Sequence, residues 1–244
     1  MISIKNLSFG FERLPIFLDL NYTFEKGKFY SILGPSGCGK TTLLNLISGL
    51  LSPSAGSVSL SLSDKGQAIS YMPQTDTLLP WRTVRENIRL VFEVLRREPD
   101  EQAVEIYLKH FGLADFADYY PENLSAGMKQ RIALIQALVS KPSIILLDEP
   151  FSNLDFDIKL KIQTRIIGEL QHANTTSLMV THDIEDAIVM SDYILIFSEK
   201  PVHIKRCIPI TFDDYGEKKP VELRKSHQLR DYFVEIWDEL KYLG

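Results

Sequence analysis

Gly34-Pro35-Ser36-Gly37-Cys38-Gly39-Lys40-Thr41 stands between an apolar run at 29–33 and a second apolar run at 42–50. The first run reads as a strand and the second as a helix, so the glycine-bearing stretch is the turn joining them. Its residue types suit one task. Glycines let successive backbone N–H groups curl around phosphate oxygens, and the following helix points the positive end of its dipole at the same oxygens. Lys40 can neutralise the outer phosphates, and the Thr41 hydroxyl can reach a Mg2+ ion. A chance match to G-x-x-x-x-G-K-[ST] would lack the flanking strand and helix. Residues Gly34, Pro35, Ser36, Gly37, Cys38, Gly39, Lys40, Thr41 and Thr42 are therefore the candidate phosphate-binding set, a P-loop for a nucleotide with Mg2+.

Outward from this loop, the stretches 2–9, 16–24, 29–33, 57–62 and 68–72 alternate or are apolar, which predicts a strand-rich first third. From Thr83 the period lengthens. Val84, Ile88, Val91, Phe92 and Leu95 share one helical face, with Thr83 placed as cap and Glu86 three residues on. Val104, Leu108 and Phe111 continue helically until Gly112. Residues 83–139 are thus predicted to be mostly helical. Short apolar runs return at 144–147 and 177–180, with Ile158, Ile162, Ile166 and Leu170 on one side of the helix between them. That βαβ order predicts parallel strands inside a sheet. A further strand is expected at 193–197. The last segment carries the stripe Leu229, Phe233, Ile236, Trp237 and Leu240, which must pack on the domain or dock on a partner.

Ile144-Ile145-Leu146-Leu147 runs straight into Asp148-Glu149. A buried strand therefore delivers two acids at its C-terminal end, the edge where open α/β sheets bind ligands. Asp148 suits an outer contact to Mg2+, and Glu149 is placed to polarise a water for attack on the γ-phosphate.

Composition removes several classes of function. The 244 residues carry 27 basic and 32 acidic side chains, and a net charge of −5 argues against nucleic acid as a partner. No apolar run approaches the ~20 residues of a membrane helix. Met1-Ile2-Ser3-Ile4-Lys5-Asn6 reads as a strand rather than a secretion signal, so a cytoplasmic location is expected. The two cysteines, Cys38 and Cys207, suit a reducing compartment. Cys38 has two readings: a thiolate favoured by loop N–H groups and Lys40, open to oxidation or alkylation, or a small residue that fits the loop.

More motifs follow in a fixed order. Gln74, then Leu124-Ser125-Ala126-Gly127-Met128-Lys129-Gln130-Arg131, then Ser152-Asn153-Leu154-Asp155, then His182 resemble the Q-loop, signature, D-loop and switch histidine of the ATP-binding cassette (ABC) ATPases. Alone, each has a bland reading as a helix start, a surface amide or a cap. Their joint order, over nearly the whole chain, makes the resemblance specific. It implies an α/β P-loop NTPase: a RecA-like core with an N-terminal antiparallel β subdomain and an inserted α-helical subdomain. The corresponding segments are 1–76 (core and β subdomain), 77–140 (helical), 141–215 (second part of the core) and 216–244 (C-terminal helical segment).

The resemblance also implies roles. Two cassettes would stack head to tail, each ATP lying between one P-loop and the other chain's Ser125, Ala126 and Gly127. Gln74 would touch Mg2+ and the attacking water, His182 would hold the γ-phosphate, and Asp155 would couple the halves. Phe11 would lie against adenine, with Phe9 as the alternative. Two positions depart from the usual signature: Ala126 replaces a glycine and Met128 a glutamine. The Ala126 methyl stands where a second cassette's nucleotide would approach.

Leu78-Leu79-Pro80-Trp81-Arg82-Thr83-Val84-Arg85-Glu86-Asn87 is similar to a segment of importers for nitrate, sulfonates, taurine and thiamine pyrimidine precursors. The resemblance thus implies an ATP-hydrolysing importer subunit, peripheral on the cytoplasmic face of the membrane. Its partners would be a second copy or a paralogous cassette, separate permease subunits and, indirectly, an extracytoplasmic binding protein. The competing classes are a soluble P-loop ATPase and a small-molecule kinase. A kinase leaves Ser125-Ala126-Gly127 and His182 idle, and an ATPase of the chromosome-maintenance type would carry coiled-coil heptads that this chain lacks.

Overall fold

The computed structural model describes residues 1–12, 14–61, 69–75, 77–213 and 220–241. Strands β1 (Ile2–Phe11) and β2 (Leu14–Phe24) pair antiparallel, β3 (Phe29–Leu33) leads through the glycine loop into α1 (Lys40–Ser48), and β4 (Ala55–Leu60) returns to the free side of β1. After β5 (Ile69–Met72) comes a helical excursion of α2 (Val84–Val94), α3 (Glu101–His110) and α4 (Ala126–Val139). Then β6 (Ile144–Asp148), α5 (Phe156–His172), β7 (Thr176–Val180), α6 (Ile184–Met190) and β8 (Tyr193–Phe197) alternate, followed by β9 (Ile204–Pro209), α7 (Pro220–Leu223) and α8 (His227–Lys241).

Among the described residues the strands form two sheets. One is antiparallel, in the order β2-β1-β4; the other runs β5-β6-β7-β3-β8-β9 and is parallel except for its edge strand β9. Side chains of β6 divide between two cores. Ile145 and Leu147 join the helices, whereas Ile144 and Leu146 face α1 and the smaller sheet. Burial on both faces is why the parallel strands read as unbroken apolar runs.

Register then decides what meets at the sheet's C-terminal edge. Ile32 of β3 and Asp148 of β6 both lie opposite Val180 of β7, and Met72 of β5 lies opposite Leu147. The residues just beyond those positions leave the sheet side by side: the glycine loop from β3, Gln74 from β5, Glu149 from β6 and His182 from β7.

Several expectations need correction. The helix after the glycine loop begins at Lys40, two residues earlier than its apolar run. The antiparallel strand β9 and the seven-residue α6 were not expected. The C-terminal stripe packs on the domain through Leu229 and Ile236, but Trp237 is 54% exposed and stacks on Phe233 instead. Leu62 and Ala68, the expected ends of two strands, lie outside the described residues, as do the segment boundaries at 76 and 215–216.

The expected cap of α2 is present in full: the Thr83 hydroxyl accepts from the Glu86 amide, and the Glu86 carboxylate accepts from the Thr83 amide. One turn on, the buried Asn87 holds the segment before the helix. Its Oδ1 accepts from the Leu79 amide at 2.8 Å, and its Nδ2 donates to the carbonyls of Leu79, Arg82 and Thr83 at 3.0–3.1 Å. Asn87→Ala strands those backbone groups in a buried place and is expected to cost about 2–3 kcal/mol in urea unfolding. An unchanged midpoint would mean that Asn87 is not what holds this segment.

Candidate functional site

Gly39 precedes α1 with φ +133°, and a Cβ there would lie 2.6 Å from Ile16 Cγ2 and 3.3 Å from the Phe17 ring. Glycine is required both by the backbone and by the β1–β2 hairpin pressed against the loop. The helix start has no side-chain cap, so its first amides stay available to an anion. The Lys40 ammonium sits inside the loop and donates to the carbonyls of Gly34 and Pro35, each at 2.8 Å. At the tip of the hairpin Phe11 is 51% exposed, and Phe9 packs edge-on against it at 5.0 Å.

Cys38 is buried in the core shared with Phe17 and Val202. Burial pushes its thiol above the ordinary value, outweighing the field of Lys40 and the loop amides. Of the two readings of Cys38, the thiolate is therefore the one disfavoured: the desolvation cost of a charged sulfur exceeds what the nearby positive groups return.

The two acids after β6 have different surroundings. Asp148 is 1% exposed, its Oδ2 accepts from the Thr41 hydroxyl at 2.7 Å, and its Oδ1 has no hydrogen-bond partner among the described residues. Burial, then the Glu149 charge, raise its pKa, against the Thr41 hydroxyl and Lys40. Glu149 turns into the left-handed region with φ +53°, its amide donates to the Val180 carbonyl at 2.9 Å, and its Oε2 lies 2.9 Å from His182 Nδ1. The sequence marks both residues, but their direct contact depends on β6 lying beside β7.

His182 lies just before Asp183, the cap of α6, and that helix is anchored by a buried polar cluster. Asp183 caps it, accepting from the Asp186 amide at 3.0 Å. The Asp186 carboxylate takes Gln163 Nε2 at 2.9 Å, Lys159 Nζ at 3.0 Å and Arg224 Nη2 at 2.7 Å. Nothing local in the sequence signals this cluster, since its members come from α5, α6 and the segment after α7.

Gln74 is exposed and shares a cleft of about 260 Å³ with Met72, Pro73, Leu124, Ala126 and Gln130. Ser125 caps α4, its hydroxyl accepting from the Met128 amide at 3.2 Å. Among the described residues no hydrogen bond or ion pair joins Ser125, Ala126 or Gly127 to residues 34–42. A Cβ on Gly127 would meet the Asn153 carbonyl at 2.7 Å, so this glycine also lets α4 lie against the loop after Glu149. Asp155 starts α5 without capping it through its side chain.

Comparison with known proteins agrees with this geometry. The ABC transporter family profile matches residues 17–152. The chain is 42% identical over 231 residues to the uncharacterized ABC transporter ATP-binding protein YtlC of Bacillus subtilis, covering 92% of this chain and 88% of that one. It is 36% identical over 211 residues to the nitrate import ATP-binding protein NrtD of Synechococcus elongatus, covering 83% and 77% respectively. Among solved structures it resembles the ATP-binding cassette MJ0796, a dimer in a post-hydrolysis state bound to ADP and Pi. The TM-score is 0.77 at 29% identity, over 87% of this chain and all of that one.

Two outcomes follow from the burial of Cys38 and Asp148. Brief maleimide treatment of the native protein at neutral pH should label the exposed Cys207 and spare Cys38; equal labelling by peptide mass spectrometry would contradict the buried, protonated thiol. Asp148→Asn should raise the nucleotide-free Tm by about 2–4 °C at pH 8, corresponding to ~1 kcal/mol. The sign follows from the raised pKa: the folded state holds this proton more tightly than the unfolded one. Asp148 thus favours folding below its ordinary 3.8 and loses that contribution as pH rises through the folded value. The advantage of the asparagine should therefore shrink as pH falls toward 4, and a thermal-shift series that widens instead would refute this account.

Proposed function

The chain belongs to the ABC transporter family and is an ATPase subunit of the importer type, and on that premise we propose how its residues divide the work. Glu149 is the general base that takes a proton from the attacking water. The observation that carries this is the 2.9 Å contact between its carboxylate and His182 Nδ1, at the sheet edge where the glycine loop also emerges. His182 orients that carboxylate and reaches the γ-phosphate, and Gln74 contributes from the neighbouring strand end. Residues 34–42 bind the phosphates through loop amides, the α1 N-terminus and Lys40, and Phe11 lies against adenine. Catalysis is then mainly positioning and charge stabilisation.

The residues present fit a Mg2+ ion. Asp148 offers a buried carboxylate oxygen with no hydrogen-bond partner among the described residues, and the Thr41 hydroxyl lies beside it, the oxygen donors a hard cation takes. When bound, Mg2+ supplies charge neutralisation on the phosphate oxygens. Thr41, Asp148 and Gln74 would hold it.

The other half of each site comes from a second cassette. Ser125 and Ala126 are exposed and Gly127 half-buried at the start of α4, and in the proposed head-to-tail dimer they close over the partner's P-loop, with Asp155 at the junction. The dimeric state of MJ0796 supports this arrangement. Among the described residues no helix is long and apolar enough to cross a membrane. The importer name of the relative NrtD supports the further reading that passage of substrate belongs to permease subunits, fed by an extracytoplasmic binding protein, with this chain peripheral on the cytoplasmic face.

Two substitutions separate binding from chemistry. Glu149→Gln should keep ATP affinity, lower turnover at least ~100-fold and accumulate an ATP-bound dimer on gel filtration, whereas Lys40→Ala should weaken ATP binding itself. Wild-type turnover by Glu149→Gln, with Pi release as readout, would remove Glu149 from the mechanism.

A further inference from the structure

Gln130 has no role in the division of work proposed for the site, yet its side chain bridges α4 and the loop that follows Glu149. It lies on α4 one turn after Gly127 and is only 8% exposed. Its Nε2 donates to the Glu149 carbonyl at 2.8 Å and to Ser152 Oγ at 3.2 Å, while its Oε1 accepts from the Asn153 amide at 2.8 Å. The Ser152 hydroxyl donates to the same Glu149 carbonyl at 3.2 Å. Gly127 makes this approach possible, because any Cβ there would collide with the Asn153 carbonyl.

Glu149 needs such support. A non-glycine residue at φ +53° carries about 1–2 kcal/mol of strain and persists only where its surroundings over-determine it. Val180 holds its amide from β7, and Gln130 holds its carbonyl from α4. The direction of the Glu149 side chain is thus fixed between a strand and the helix whose first residues are Ser125, Ala126 and Gly127.

We propose that Gln130 is a positioning residue for Glu149, and that through it the placement of α4 in one cassette sets the hydrolysis rate of that same cassette. Engagement of the α4 N-terminus by a second cassette's nucleotide is then transmitted within the chain, over one helical turn, to the peptide that aims the base. This rests on Glu149 being the base.

The test uses the full chain with Gln130→Met, which removes both ends of the amide at similar volume, and Gln130→Glu, which keeps the shape and the acceptor for Asn153 but cannot donate to the Glu149 carbonyl when ionised. Both should lower kcat on the order of tenfold to a hundredfold. KM for ATP and the affinity for a fluorescent ATP analogue should stay within about twofold of wild type. Because Gln130 acts through Glu149, adding Gln130→Met to Glu149→Gln should change the remaining rate by less than about twofold and leave the trapped dimer intact. Wild-type kcat in both single variants overturns the proposal, as does loss of ATP binding in both, or a full multiplicative loss in the double variant. Wild-type turnover by Glu149→Gln alone overturns instead the base assignment beneath it.

Discussion

The pairing of β7 with β6 on one side and β3 on the other is the constraint from which the site follows. Val180 lies opposite both Asp148 and Ile32, so those two chains leave the sheet at one level and their next residues become neighbours. A shift of either strand by one residue would exchange its two faces, so that both close-packed cores would have to repack around different side chains. The apolar contacts on each side of the sheet therefore hold the geometry of loops that contribute little to stability themselves. The smaller sheet adds a second clamp, since Ile16 and Phe17 press on Gly39 from outside the nucleotide loop.

Two buried aspartates, Asp148 and Asp186, show how differently a buried carboxylate can be compensated in one fold. Asp186 is closed in by Lys159, Arg224 and Gln163, with every hydrogen bond made inside the chain. Asp148 is as deeply buried, but receives only the Thr41 hydroxyl on one oxygen and nothing on the other among the described residues. A carboxylate so placed is costly in the isolated fold. It is kept where a cation and phosphates are expected to meet, whereas the compensated aspartate only secures the helix that follows His182. Uncompensated burial is thus the sharper sign of function.

The parts legible in the sequence are those written in local pattern. The glycine loop, the strands at 29–33 and 144–147 and the cap at Thr83 each depend on neighbours within a few residues, and each lies where the pattern places it, the second strand running on through Asp148. What the pattern cannot carry is contact between distant segments. The Glu149–His182 pair spans 33 positions and exists only through strand register. The choice between the two readings of Cys38 turns on the same distinction: the loop's positive field is local, whereas the burial that overrides it belongs to a core that includes the distant Phe17 and Val202. Strand β9 escaped because Ile204–Pro209 is an edge strand with only Ile208 buried, too little apolar signal to read. Helix α6, at seven residues, is too short to show a period.

The left-handed turn at Glu149 answers a geometric problem that adjacent acids create. In an extended strand, consecutive side chains point to opposite faces, so a straight continuation would send one carboxylate toward Thr41 and the other away from the site. Ending the strand at Asp148 and turning the next residue to φ +53° lets the second carboxylate meet His182 instead. Glycine would make that turn without strain but would bring no carboxylate. The strain must therefore be carried by the residue proposed as the base, and the surrounding chain has to hold it there. Val180 on one side and Gln130 on the other supply that restraint, which ties the aim of Glu149 to the helix beginning at Ser125. The strained peptide is thereby the point at which strand register and the position of α4 converge.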